Sequence, residues 1–382
     1  MIDPIKASDT ILKEEKKVEY LELIYDLIFV YIIGRNNSLL HVSESGFVPA
    51  ALFLAYILCT LAIIQIWNFS TYYINMFGRN GVRDHVFLFI NMYLLYYIGE
   101  GTRLHWESFH TQYHVAWALI LINIGVQYLI EWRHRKENEE GSRTIRNMVI
   151  VLFGEAALVL LAIPTDGWRF PVFTTAAIAF GMGMTWFFAD EKKAELVDFG
   201  HLSERAMLYV VFTFGEMIIA IASYFDGDLT LNSVYFSLMA FLIVAALFLS
   251  YEMLYNHILD REMKTTGMAF MMIHIFLIFA MNNITTALEF MQEPEVSLNP
   301  KTAFLVSAFL LFYICLFSLM RFAKKRLGLC PHFIIPLVVM AAVFVAAMVV
   351  LKEQMFANIA VSVIFVFAMF ARIYAYRKER KE

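Results

Sequence analysis

The chain has 382 residues, of which 60% are hydrophobic and 17% charged. Its mean hydropathy is +0.63. A soluble domain carries roughly 45–50% apolar and about 25% charged residues, so a water-soluble globule, a disordered chain and a disulfide scaffold are excluded. The net charge of −4 offers nucleic acid no basic surface. What remains is an all-α integral membrane protein whose first partner is the lipid bilayer. Its apolar runs are unbroken over about 20 residues, where barrel strands would alternate over about 10.

In chain order, residues 1–17 contain Lys6, Lys13, Glu14, Glu15, Lys16 and Lys17 and no apolar run. They read as a cytoplasmic segment with no cleavable signal peptide. Twelve apolar segments follow, at 18–35, 48–74, 84–101, 112–132, 146–164, 170–189, 202–224, 231–255, 267–290, 302–320, 332–351 and 354–375. They divide into a first six-helix half (18–190) and a second (191–375), with a cytoplasmic tail at 376–382. With the N-terminus inside, 25 of the 30 Lys and Arg residues fall in inside segments. Only Arg35, Arg103, Arg169, Lys301 and Lys352 fall outside. This bias sets both termini in the cytoplasm. The longest loop, about 132–146, reads as a solvated connector, and no soluble domain is inserted. Cys59, Cys315 and Cys330 form no CxxC pair and read as core thiols with no disulfide or metal role.

The informative residues are the polar ones inside the apolar runs. An ionisable group at membrane depth costs about 2.5–3.5 kcal/mol and marks a functional site by default. Asp26, Glu155, Glu216 and His274 lie on helices 1, 5, 7 and 9. Counting at 1.5 Å per residue from Lys17, Arg146, Arg205 and Lys264 puts all four at roughly 14–17 Å, near the middle of an about 30 Å core. Transporters often hold substrate and coupling ions at that depth. Glu155 and Glu216 each follow Phe-Gly. Glycine there permits a bend or a close helix approach. The alternative for both acids is a protonated carboxyl acting as interhelical glue, and for His274 a neutral core histidine.

A second group lies nearer the cytoplasm. Glu19, Glu22 and Asp26 are spaced i, i+3, i+7 on one face of helix 1. His201, Glu204 and Arg205 begin helix 7, with Arg205 on the same face as Glu216. The His-x-x-Glu pair fits a metal ligand pair, an ion or proton relay, or a plain helix start capped by Ser203. Sliding helix 1 onto helix 7 pairs Glu19 with His201 and Glu22 with Glu204. An internal repeat of six helices would be parallel, with its axis along the membrane normal and the two charged helices facing each other.

Three segments carry a family resemblance: VEYLELIYDLIFVYIIGRNNSLLH (18–41), IQIWNFSTYYINMF (64–77) and HLSERAMLYVVFTFGEMIIAIA (201–222). Together they resemble the bacterial low-temperature-requirement protein A family. Glu22, Asp26, His201, Glu204, Arg205 and Glu216 fall on that family's motif positions. The sequence departs after helix 2, where Met76-Phe77-Gly78-Arg79-Asn80 replaces the family's acidic loop. The resemblance implies a multi-pass protein of the bacterial inner membrane. It implies no particular activity, since the family is named for a growth phenotype.

The reading that follows is a transporter or channel-like protein for protons, a cation or a small solute. Its ion path would use Glu22, Asp26, Glu155, Glu216 and His274, and its cytoplasmic network Glu19, His201, Glu204 and Arg205. No cofactor and no metal is expected, and a homo-oligomer is left open. The rivals are a membrane enzyme acting on a lipid or lipid-linked substrate and a non-transporting sensory or structural protein. Against the enzyme, the chain lacks HExxH and Gly-x-Ser-x-Gly.

Overall fold

The computed structural model describes residues 16–41, 46–104, 106–135, 141–165, 169–189, 196–225, 229–291, 293 and 295–380. Lys6, Lys13, Glu14, Glu15, Lys136, Lys192, Lys193 and Lys381 lie outside them. Each expected span is a helix. They are α1 (Tyr20–Asn36), α2 (Ala50–Phe77), α3 (Val82–Leu104), α4 (Trp106–His134), α5 (Ser142–Ala162), α6 (Arg169–Phe187), α7 (Phe199–Ala222), α8 (Leu231–Met253), α9 (Met268–Phe290), α10 (Leu298–Ser318), α11 (Pro331–Val350) and α12 (Met355–Glu379). Among the described residues the only strand-like pairing is one bridge, Leu259 with Ala323. The protein is an all-α integral membrane protein.

Nine of the described helices are long and apolar enough to cross a bilayer, namely α2, α4, α5 and α7 to α12. The apolar part of α6 is shorter, Pro171–Phe187. α1 and α3 are broken up by Glu22, Asp26 and Arg35 and by Arg83, Asp84, Glu100 and Arg103. Of these, Glu22, Asp26 and Asp84 turn inward and are buried. α11 shows the opposite pattern. Only Phe333, Leu337, Phe344 and Met348 of α11 are buried, while Ile335, Val338 and Val343 are exposed. Lipid accepts an apolar outer face, so there the interior is where polar groups collect.

Lys16 donates its backbone N–H to Asp198, and Tyr376 donates to the carbonyl of Gly328. Both ends of the described chain therefore lie at one end of the bundle, here the proximal end. The α8–α9 link is stitched to the α10–α11 link there, with Asp260 N–H on Phe322 O at 2.8 Å and Lys324 N–H on Ile258 O at 2.9 Å. Gly267 enters α9 at φ 65°, and a Cβ there would sit 2.5 Å from Leu202 Cδ2. Cys59 and Cys315 are buried, but Cys330 is half-exposed at the start of α11, so the core reading holds for two of the three thiols.

The helix neighbours repeat. α1 packs on α3, α3 on α4, α5 on α6 and α2 on α6; likewise α7 packs on α9, α9 on α10, α11 on α12 and α8 on α12. The two sets meet where α1 lies along α7, with α2 against α7 and α9. α1 and α7 run parallel. Arg205 meets Glu22 and Asp26 near both starts, and Glu216 lies against Gly34 near both ends. Gly34 and Glu216 share the offset that pairs Glu19 with His201 and Glu22 with Glu204.

Candidate functional site

α7 begins at Asp198, whose carboxylate accepts the backbone N–H of His201 at 3.0 Å and caps the helix. Ser203, the expected cap, instead donates to Gly200 O at 2.9 Å, one turn back. With the start fixed at Asp198, Arg205 points into the α1 interface. Its Nη1 donates to Glu22 Oε2 at 2.6 Å, its Nη2 to Asp26 Oδ1 at 2.5 Å and its Nε to Asp26 Oδ2 at 3.0 Å. The Asp26 contact is the two-pronged fork that guanidinium geometry favours. Arg205 and Asp26 are both 0% exposed.

Three neighbours complete this centre. Trp67 Nε1 donates to Asp26 Oδ1 at 2.8 Å. His201 Nε2 lies 3.2 Å from Glu22 Oε2, and its Nδ1 lies 3.0 Å from the Asn75 side-chain nitrogen. The Lys16 ammonium donates to the carbonyls of Ile74 and Gly78, where α2 ends. Burial, the largest influence, holds Lys16 below its ordinary pKa against the attraction of Glu22. Both Asp26 oxygens thus accept hydrogen bonds, whereas Tyr209, tilted against Trp67 with ring centroids 4.6 Å apart, buries a hydroxyl with no hydrogen-bond partner among the described residues.

The remaining expected residues are distributed as follows. Glu19 is the residue before α1 and accepts Glu22 and Leu23 N–H on its carbonyl. Glu204 is half-buried and makes none of the hydrogen bonds above. Glu216 is half-buried against Gly34, where a Cβ would overlap its carboxylate. Glu155 is fully buried and accepts from Gln65 Nε2 at 3.2 Å. His274 is fully buried between Phe270 O at 2.9 Å and Tyr251 OH at 3.0 Å, which satisfies both ring nitrogens.

The expected single depth is corrected for Glu216. Arg205, level with Asp26, lies eleven residues below it on α7, which is roughly 16 Å along the axis. The count from Arg205 misled because this arginine is drawn into the bundle and does not mark the membrane surface. Glu22, Asp26, His201 and Arg205 are brought together. Glu155, Glu216 and His274 each stand apart from them. Among the described residues no three His, Cys, Asp or Glu side chains form a metal-holding group.

Several residues of these centres escaped the sequence reading: Trp67, Asn75 and Gln65 on α2, Asp198 and Lys16. A signal existed for α2. Gln65, Asn68, Thr71, Tyr72 and Asn75 recur every three or four residues in an otherwise apolar helix, a polar stripe on one face. A second inward cluster also forms without expectation. Arg83 donates to Glu131 at 2.6 Å and to Tyr73 OH at 3.1 Å, and Asp84 accepts Arg79 N–H at 2.8 Å.

Comparison with known proteins gives one family. The family model described as bacterial low temperature requirement A protein (LtrA) matches residues 17–370. No curated protein and no solved structure matches.

Proposed function

We propose, for a chain that belongs to the bacterial low temperature requirement A (LtrA) family, that the seam between α1 and α7 moves protons or a monovalent cation across the bilayer. The observation that carries this reading is the Arg205 centre. Three ionisable side chains lie at the seam with 0–4% exposure, and two carboxylates there face one guanidinium. Counted as ionised, the group holds one negative charge in excess inside low-dielectric surroundings. Such a charge is costly unless a cation balances it. His201 and Lys16 stand at its proximal edge, where they can deliver or receive the balancing proton.

Above Asp26 the seam is aromatic. Phe29 and Tyr209 lie 6.4 Å apart between centroids, and Tyr25 packs on Phe29 at 4.9 Å. Glu216 stands beyond them on the same face of α7, one step after Thr213. The reading is therefore two polar stations separated by an aromatic barrier, with the barrier closed in this conformation. Gly34, with no side chain, leaves room for the Glu216 carboxylate against α1.

The remaining parts of the proposal follow from sequence and packing. The bias of the basic residues supports a proximal end in the cytoplasm, with both termini cytoplasmic and the protein in the bacterial inner membrane. The recurring helix neighbours support two parallel six-helix repeats with their axis between α1 and α7. The direct test is flux through the purified protein in proteoliposomes, with Asp26→Asn and Glu216→Gln as controls. The rival reading, a purely structural ion cluster, predicts no flux in any of them.

A further inference from the structure

α2, α5 and α6 enclose a second polar region, inside the first six helices and separate from the Arg205 centre. Glu155 is 0% exposed and its Oε2 accepts from Gln65 Nε2 at 3.2 Å; that nitrogen is also 3.4 Å from Ile178 O. No basic side chain pairs with Glu155 among the described residues. Among the described residues, its Oε1 and Gln65 Oε1 are both buried without a hydrogen-bond partner. On the next turns of α2, both amide atoms of Asn68 and the Thr71 hydroxyl are likewise buried and unpartnered. Nearly all buried polar groups find partners, so such a set along one helix calls for an occupant.

Glycine at 181 lets the Glu155 and Gln65 side chains pack directly onto the α6 backbone. A Cβ at Gly181 would overlap Glu155 Oε2 and Gln65 Nε2. A pocket lies on the same three helices. On the proximal side, Tyr72, Thr144, Asn147, Thr185 and Thr266 line a pocket between α2, α5, α6 and the start of α9. Asn147 lies eight residues before Glu155 on α5, and Thr185 lies four after Gly181 on α6.

We infer that this crevice binds one dehydrated monovalent cation of the sodium class, held by Glu155 Oε1 and Gln65 Oε1 and reached from the pocket between α5 and α6. The charge count selects it. One carboxylate in a membrane interior balances one positive charge, whereas a divalent ion would leave a charge uncompensated. Both orphaned oxygens of the hydrogen-bonded pair are acceptors, the ligand type that a hard cation requires. A carboxyl proton on Oε1 would itself need an acceptor, and Oε1 has none among the described residues. The inference deepens the permeation reading by naming an ion and a second station, but binding can be measured without flux.

The experiment is thermal unfolding of the detergent-purified full chain in sodium, potassium or choline chloride at fixed ionic strength and pH. Binding to the native state alone raises the midpoint. Sodium should raise it by about 2–4 °C over choline at saturation. Glu155→Gln and Gln65→Leu should abolish the shift, while Asp26→Asn should retain it. Equal midpoints in all three salts for the wild type would overturn the assignment. So would a full sodium shift in Glu155→Gln, or a response that follows pH and ignores the alkali ion. If Glu155→Gln does not fold, Gln65→Leu decides alone. A sodium shift in a protein that shows no flux would keep this site and refute the permeation reading; flux without a sodium shift would do the reverse.

Discussion

Asp26 and Arg205 stand 179 residues apart in the chain and 2.5 Å apart in space, and neither exposes any surface. This contact joins the first helix of each six-helix set. Removing Arg205 leaves two buried carboxylates uncompensated, whereas removing all three charges together does not.

Arg205→Met should therefore lower stability by about 3–5 kcal/mol. The triple variant Glu22→Gln, Asp26→Asn, Arg205→Met should recover much of that loss, because these residues share one network and their effects do not add. Thermal unfolding in detergent measures both. A triple variant less stable than Arg205→Met would show that the network is held by something other than charge balance.

Trp67 and Tyr209 make a sharper pair. Their rings are 4.6 Å apart, yet only Trp67 spends its polar atom on Asp26. Trp67→Phe should cost about 1.5–3 kcal/mol, the worth of a hydrogen bond to a charged group. Tyr209→Phe removes a hydroxyl with no partner among the described residues and should leave stability within about 0.5 kcal/mol of wild type. Circular dichroism melts of the two proteins should differ in that order; the opposite order would reject the hydrogen-bond assignment.

Gly181 separates helix packing from chemistry. Gly181→Ala should destabilise the protein by about 1–3 kcal/mol through overpacking against Glu155 and Gln65. Gly183, two residues on, has open space where a Cβ would go, so Gly183→Ala should be tolerated. Comparable loss at both positions would mean that general helix flexibility matters and the crevice does not.

At the distal end, His41 Nδ1 lies 2.7 Å from Glu293 and its Nε2 lies 3.6 Å from Glu289. The carboxylate of Glu289, then that of Glu293, raises the His41 pKa from 6.5 to about 10. A raised folded-state pKa gives stability that is fully present below the unfolded value and lost as pH climbs through the folded one. The stability difference between wild type and His41→Gln should thus be constant below pH 6.5 and fade toward pH 10. Melts at a series of pH values check this, and a difference that instead grows above pH 8 would contradict it.

The twelve helices were legible in the sequence as apolar runs; nine of those described are long and apolar enough to cross a bilayer, and α1 and α3 are interrupted by charges, of which Glu22, Asp26 and Asp84 are buried. The partnership of helices 1 and 7 was legible from their matched polar residues. Its pairing was not. Sequence spacing places residues on a face but cannot say that Arg205 forks onto Asp26, nor that Asp198 and not Ser203 starts α7. Depth failed for Glu216 for the same reason. A basic residue was counted as a surface marker when it is a buried partner. The α2 stripe of Gln65, Asn68, Thr71 and Asn75 was visible as a period, but among uncharged residues it carries no electrostatic signal to set it apart.

The central claim is that the seam between α1 and α7 carries ions, and Asp26 is its key. The most direct measurement compares ion flux into proteoliposomes holding equal amounts of folded wild type, Asp26→Asn and Glu216→Gln, with protein-free vesicles as the baseline. Proton-sensitive and sodium-sensitive dyes read the two candidate ions in parallel. The account predicts wild-type flux well above baseline, reduced at least about tenfold in both variants, a barrier change of about 1.4 kcal/mol or more. Wild-type flux equal to protein-free vesicles, or full flux in Asp26→Asn, would contradict it.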